Sequence, residues 1–237
     1  MLRRLRLFPL NAVLFPGAVL NLHIFEARYK QMIDECLSSG EGFGVALIAE
    51  GAEAGDPNVT PHEVGSIAEI VDVQSLPFDR YFISTVGRQR FRICEIVSRE
   101  PYLMVDADVL DDAEDDDEEI ARLNERVHSL FAEYLELVVE LSGSEAKVRL
   151  PDDPQRASFV VGDTLQIAEA IKQRLLELET TKKRLVAEED FLQRLLPQLR
   201  RLLERRRKEL EARRERGEDI SFRPNQEKFF GKYFSPN

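Results

Sequence analysis

The amino-acid sequence predicts an α+β fold, a β-rich first half that reads as a small barrel or sandwich followed by a helical second half. Three observations carry this. Apolar residues recur with a period of two before residue 110, they recur at three and four after residue 120, and a dense acidic run separates the two regimes. With 237 residues, 43% of them hydrophobic and 32% charged, the chain is long enough to bury a real core as one large domain or two small ones. Every apolar run is interrupted well short of the roughly 18 residues that a membrane span requires, so the composition argues against a transmembrane protein.

At the N-terminus, Arg3, Arg4 and Arg6 ahead of Leu7, Phe8 and Leu10 imitate a secretory signal. Pro9, Asn11, Pro16 and Gly17 break the apolar stretch, and no small-x-small cleavage site follows before Glu26-Ala27-Arg28. The expected compartment is therefore the cytoplasm, with Cys36 and Cys94 as two reduced thiols, too few for a disulfide framework or a zinc site. Two Pro turns, at Pro9 and Pro16, are expected to flank a strand, with Gly17 permitting a tight bend. Phe25, Tyr29, Met32, Ile33 and Leu37 then predict one helix, closed by Ser38-Ser39-Gly40. Short strands follow at Val45 to Ile48, Ile67 to Val73, Tyr81 to Val86 and Phe91 to Val97, punctuated by Gly65, Pro77 and Gly87. The clearest strand is the last, where Leu103, Val105, Ala107 and Val109 alternate with Met104, Asp106 and Asp108.

From Asp111 to Glu119 eight of nine residues are carboxylates, and like-charge repulsion at that density predicts a solvated linker. Without these eight the formal net charge of −11 would be −3, so the acidity of the chain says little about its partners. The expected organisation is 1–110 as the β subdomain with one inserted helix, 111–119 as the acidic linker, 120–216 as a helical subdomain and 217–237 as an aromatic-rich tail.

In the helical half, Ile120, Leu123, Val127, Leu130, Phe131, Tyr134 and Val138 form one stripe, and Leu165, Ala168, Ile171 and Leu175 begin another. A longer seam joins Leu178, Thr181, Leu185, Glu188, Leu192, Leu195, Leu199 and Leu202, nearly a heptad repeat with polar faults at Thr181 and Glu188. Pro197 is expected to kink or restart this helix, and packing on the preceding helices is favoured over a coiled-coil dimer. Arg200 to Arg216 carries nine basic and four acidic residues. A nucleic-acid or membrane patch is one reading; a solvated helix with Glu and Arg four apart is the favoured one. In the tail, Phe222, Phe229, Phe230, Tyr233 and Phe234 need a surface to dock on.

Catalytic chemistry is nearly absent from the sequence. The single Gly-Lys pair, Gly231-Lys232, lacks the upstream Gly and the following Ser or Thr of a phosphate loop. His23, His62 and His128 lie far apart with no second His at helical spacing, and no nucleophile elbow is present. No cofactor and no metal are expected.

One segment is more specific. The run from Phe8 to Tyr29, FPLNAVLFPGAVLNLHIFEARY, closely resembles the opening signature of the LON substrate-binding domain. The likeness continues in order through Phe43 to Ile48, Val64 to Ile70, Val86 to Ile93 and Pro101 to Leu103, then an acidic break, then Lys172 to Glu177 and Lys183 to Leu185, covering roughly residues 5 to 200. The resemblance implies a PUA-like β pseudo-barrel followed by a helical subdomain, in a module that recognises substrates while later protease domains carry the chemistry. Nothing in it extends to the basic helix and tail after Leu199.

The expected function is thus a non-enzymatic LON-type module that grips client polypeptides or partner proteins in quality control or proteolysis, with a separate ATPase or protease as a further partner. Candidate contacts are Phe15, Leu22, Phe25, Glu26, Arg28, Tyr29 and Met32. For the apolar ones the bland alternative is a core residue, and for Glu26 and Arg28 it is a lock on the helix start. Three rivals stand beside this reading: an RNA-binding PUA-like module, a structural or oligomerisation protein acting through the C-terminal helix, and, weakest, a small-molecule enzyme.

Overall fold

The N-terminal arginines belong to a strand, because Leu5 and Leu7 point inward on either side of Arg6. In the computed structural model, which describes residues 2–52, 58–112, 117–143 and 148–215, this strand β1 spans Leu2–Leu10. It is followed by β2 (Val19–Ile24), α1 (Ala27–Ser39), β3 (Phe43–Glu50), β4 (Thr60–Pro61), β5 (Val64–Leu76), β6 (Arg80–Ser98) and β7 (Leu103–Leu110). The helices α2 (Asp117–Ser142), α3 (Pro154–Thr164), α4 (Glu169–Glu177) and α5 (Thr181–Glu215) complete the order. None of these helices is long and apolar enough to cross a membrane.

The sheet closes on itself. Strands run β1-β7-β6-β5-β3, and β1 pairs with β3 to complete the ring; β2 and β4 are added to β6 and β3. The closing pair is parallel, Leu7 opposite Gly44 to Leu10 opposite Leu47, whereas β1 and β7 run antiparallel from Leu2 opposite Asp108 to Leu7 opposite Leu103. Pro9 lies beyond the β7 pairing, where a missing N–H is tolerated. Of the two architectures open from the sequence, the barrel is therefore the one formed. Leu5, Leu7, Ala46, Ile67, Phe91, Leu103, Val105 and Ala107 make one core, and a second core joins Phe8, Ile24, Phe43 and Ile83 to the buried face of α1. The strand expected between Pro9 and Pro16 is absent, and residues 11–18 form turns and irregular backbone.

The chain divides into two compact units, one comprising Met1–Glu114 with Phe159–Thr180 and the other Asp115–Ser158 with Thr181–Asn237. Residues 159–180, placed with the helices by the sequence, thus group with the strands. Hydrogen bonds explain it. Gln173 Nε2 donates to the Val64 carbonyl at 2.9 Å, the Val13 N–H donates to Glu169 Oε2 at 2.7 Å, and Arg90 reaches α4 as well. The Arg90 guanidinium donates to the carbonyls of Leu176 and Leu178 at 2.7 and 2.6 Å and to Asp112 Oδ1 at 2.5 Å. It satisfies orphan carbonyls at the C-terminus of α4, where a cation also meets the helix dipole.

Helix α3 escaped the sequence reading because Phe159, Val160, Val161 and Gly162 are weak helix formers. Packing overrides that propensity. A Cβ at Gly162 would lie 2.9 and 3.0 Å from ring carbons of Phe15, so glycine is what lets that ring seat against the helix.

The acidic run is only partly a linker. The Asp112 side chain is buried against Arg90, and Glu118 and Glu119 lie in the first turn of α2, where the helix dipole favours carboxylates. Residues 113–116 lie outside the described residues, as does the aromatic tail.

In the second unit α5 packs along α2, and a row of ion pairs defines the register: Glu119 with Lys182, Arg126 with Glu189, Glu133 with Arg200 and Glu140 with Arg207. In the Arg126 pair, with Nε 2.7 Å from Oε1, the polarity is reversed relative to the other three. The sequence offset is 63 residues in the first two pairs and 67 in the last two, so the helices run parallel and α5 slips by four residues between Glu189 and Arg200. A four-residue insertion of this kind is a stutter. It moves the seam, burying Leu196 and Leu203 where the strict repeat would bury Leu195 and Leu202. Pro197 lies inside α5, which continues through it rather than restarting. The lost backbone hydrogen bond is offset by the buried leucines on either side.

Candidate protein-binding groove

Helix α1 has two faces of opposite character. Tyr29, Met32, Ile33 and Cys36 are buried, with Tyr29 stacked on Phe8 at a ring separation of 3.9 Å. The helix ends at Gly40, whose φ of 69° suits a residue without a side chain. The other face, Ala27, Lys30, Gln31, Asp34 and Ser38, repeats at three and four and lines an open cavity of about 790 Å³ with Arg6 of β1 and Asp79 and Tyr81 at the β5–β6 turn.

The acidic groups of this groove outnumber its two cations, and each is held by a hydrogen bond or an ion pair. Arg6 donates to Glu35 at 3.2 Å and to Glu41 at 3.1 Å, Lys30 pairs with Asp79, and the Tyr81 hydroxyl donates to Asp34 at 3.0 Å. The Tyr102 hydroxyl and the Gln31 amide, aided by Arg6, hold the Glu35 carboxyl below the usual carboxylate range. Burial works against the Arg6 charge but is outweighed by its hydrogen bonds to Glu35 and Glu41, which raise its pKa. Burial pushes the Cys36 thiol up to about 11, so a thiolate nucleophile is not populated there at neutral pH. Among the described residues no group of three or more His, Cys, Asp or Glu could hold a metal ion.

Two exposed aromatic residues neighbour the lining residues in sequence, Phe25 just before Ala27 and Phe78 directly before Asp79. Phe78, in the three-residue loop Pro77-Phe78-Asp79, is 89% exposed. Its φ is 64° and that of Asp79 is 53°, the left-handed region that L residues with bulky side chains rarely adopt. The Arg80 guanidinium lies 5.6 Å from the Phe78 ring centre and donates to the Pro77 carbonyl at 3.0 Å. Phe25 is 61% exposed. It follows Ile24, which pairs with Tyr81, so both rings lie at the same end of the β2–β6–β5 sheet.

The residues selected from the sequence are dispersed by this arrangement. Phe15 and Met32 are fully buried and Tyr29 nearly so, leaving no surface for a client; Leu22 is half-buried against the α1 core. Glu26 and Arg28 pair with each other at 2.9 Å, and Arg28 sits 4.5 Å over the Tyr29 ring. Glu26 precedes α1 without a side-chain capping bond. Phe25 alone of the seven presents a large apolar surface. Phe78 escaped the sequence reading, although an aromatic residue in a short loop between two strands was a signal available there.

The chain matches the family model described as the ATP-dependent protease La (LON) substrate-binding domain over residues 4–194. Lon protease 2 of Myxococcus xanthus is 27% identical over 187 residues, which cover 78% of this chain and 22% of that protein. Lon protease of Anaeromyxobacter dehalogenans gives the same identity and coverage. This chain therefore corresponds to about a fifth of the curated relatives it matches. Among solved structures, the crystal structure of a Lon N-terminal domain protein from Xanthomonas campestris is 25% identical with a TM-score of 0.57, covering 78% of this chain and 96% of that one. The N-terminal domain of Mycobacterium avium complex Lon protease, at 20% identity and a TM-score of 0.60, covers 81% and 98% and supports the fold.

Proposed function

The chain belongs to the LON substrate-binding domain family, and on that premise we propose that it is a non-catalytic module that binds exposed apolar segments of client polypeptides along the α1 groove. Phe78 is the observation that carries this reading. A phenyl ring held in solvent on left-handed backbone is unfavourable twice over, and contact with a ligand is the gain that would offset it. Phe25 would provide the second apolar contact. A separate ATPase or protease in the cytoplasm would supply any chemistry. RNA is the disfavoured ligand, because Arg200 and Arg207 pair with Glu133 and Glu140, and Arg206 donates to the Leu141 carbonyl.

Fluorescence anisotropy of the full chain with a labelled, permanently unfolded polypeptide tests the proposal at low and high salt. Saturable binding that survives high salt and weakens about tenfold in Phe78→Asn, the loss expected of one aromatic anchor, would support it. Absence of binding, abolition by salt, or an unchanged affinity in Phe78→Asn would overturn it.

A further inference from the structure

The α2–α5 unit buries a carboxylate that client binding does not use. The ion pairs described above line one flank of the two helices. At about 100° per residue, Asn124 and His128 on α2 and Arg184 and Glu188 on α5 fall away from that flank, each pair one turn apart. The 63-residue offset sets Glu188 level with Glu125, between Asn124 and His128. Glu188 is fully buried, and neither of its oxygens has a hydrogen-bond partner among the described residues; the same holds for Asn124 Oδ1 and His128 Nε2.

Arg184, also fully buried, donates from Nε to Ser158 Oγ at 2.7 Å and from Nη2 to Thr181 Oγ1 at 3.4 Å. It acts on Glu188 through space. The register thus sets the two Glu188 oxygens, Asn124 Oδ1 and His128 Nε2 within about one turn of one another, and none of these atoms has a hydrogen-bond partner among the described residues, which is costly away from water. A carboxyl proton is a donor that fits: neutral Glu188 can donate to the Asn124 amide oxygen or to His128 Nε2, whereas ionised Glu188 cannot donate at all.

We propose that Glu188 is a proton-operated joint between α2 and α5, tightening the pair when protonated and loosening it when ionised. Among the described residues, the charged group that acts on it is Arg184 from its own helix; the register brings His128 of α2 to its level, and Ser158 of α3 is neutral. Burial, partly opposed by the Arg184 charge, raises the Glu188 carboxyl well above the usual range. In the unfolded chain it ionises near the ordinary value of about 4.3. Between that pH and the higher folded value the folded unit holds a proton that the unfolded chain has released, so stability falls as pH rises. Below about 4.3 both states are protonated and the contribution is flat.

Amide hydrogen exchange of the full chain, corrected for intrinsic rates, tests this between about pH 5.5 and about pH 8.5. Protection of α2 and α5 is expected to fall about tenfold or more across that range in the wild type and to stay level in Glu188→Gln, with the barrel strands unchanged in both. A level wild-type profile, or the same slope in Glu188→Gln, would overturn the proposal. Should Glu188→Gln fail to fold, Glu188→Leu replaces it. Infrared spectroscopy of the wild type across the same pH range decides independently: a buried protonated-acid carbonyl band that fades as pH rises and is missing from Glu188→Gln is expected, and its absence even at the acid end would refute the proposal.

Discussion

The two units bury charge in opposite ways. In the barrel unit Arg90 is almost wholly buried, yet its guanidinium meets two carbonyls and a carboxylate. In the helical unit Glu188 is equally buried, and its oxygens meet no donor among the described residues. A buried charge is thus a fixed joint where its bonds are complete and a titratable one where they are not.

Removing the complete site is the most severe test of that contrast. Arg90→Ala should cost about 3–5 kcal/mol in chemical denaturation, because Asp112 and the α4 carbonyls lose the buried guanidinium that meets them. Gly162→Val tests packing in the same unit: its new Cβ meets the Phe15 ring, and a loss of about 1–3 kcal/mol is expected. Phe78→Asn reverses the sign. Asparagine tolerates left-handed backbone, so a gain of about 1 kcal/mol in stability should accompany the loss of client binding, a split that a core residue would not give. The least change belongs to Arg126→Ala, whose exposed ion pair with Glu189 should leave the melting temperature within experimental scatter.

Much of the fold was legible because its signals are local. Leu103 to Val109 alternate, Phe25 to Leu37 recur at helical spacing, and the ordered motifs from Phe8 to Leu185 carried the family. Strand β1 was hidden by its arginines, whose partners Asp106, Glu35 and Glu41 are distant in sequence. The candidate site was legible only in part: the sequence pointed to α1 but selected mostly its buried face, since apolar periodicity marks the side that packs rather than the side that binds.

The α+β class, the change of period after the acidic run and the likeness to the LON domain could all be read from the chain alone, because each depends on residues close together along it. Other outcomes waited on folding: β1 closes the barrel on β3, residues 159–180 join the strands, α5 slips four residues along α2, and Phe78 stands in solvent. They depend on pairings between distant residues, whose energies appear only once the chain has brought them together.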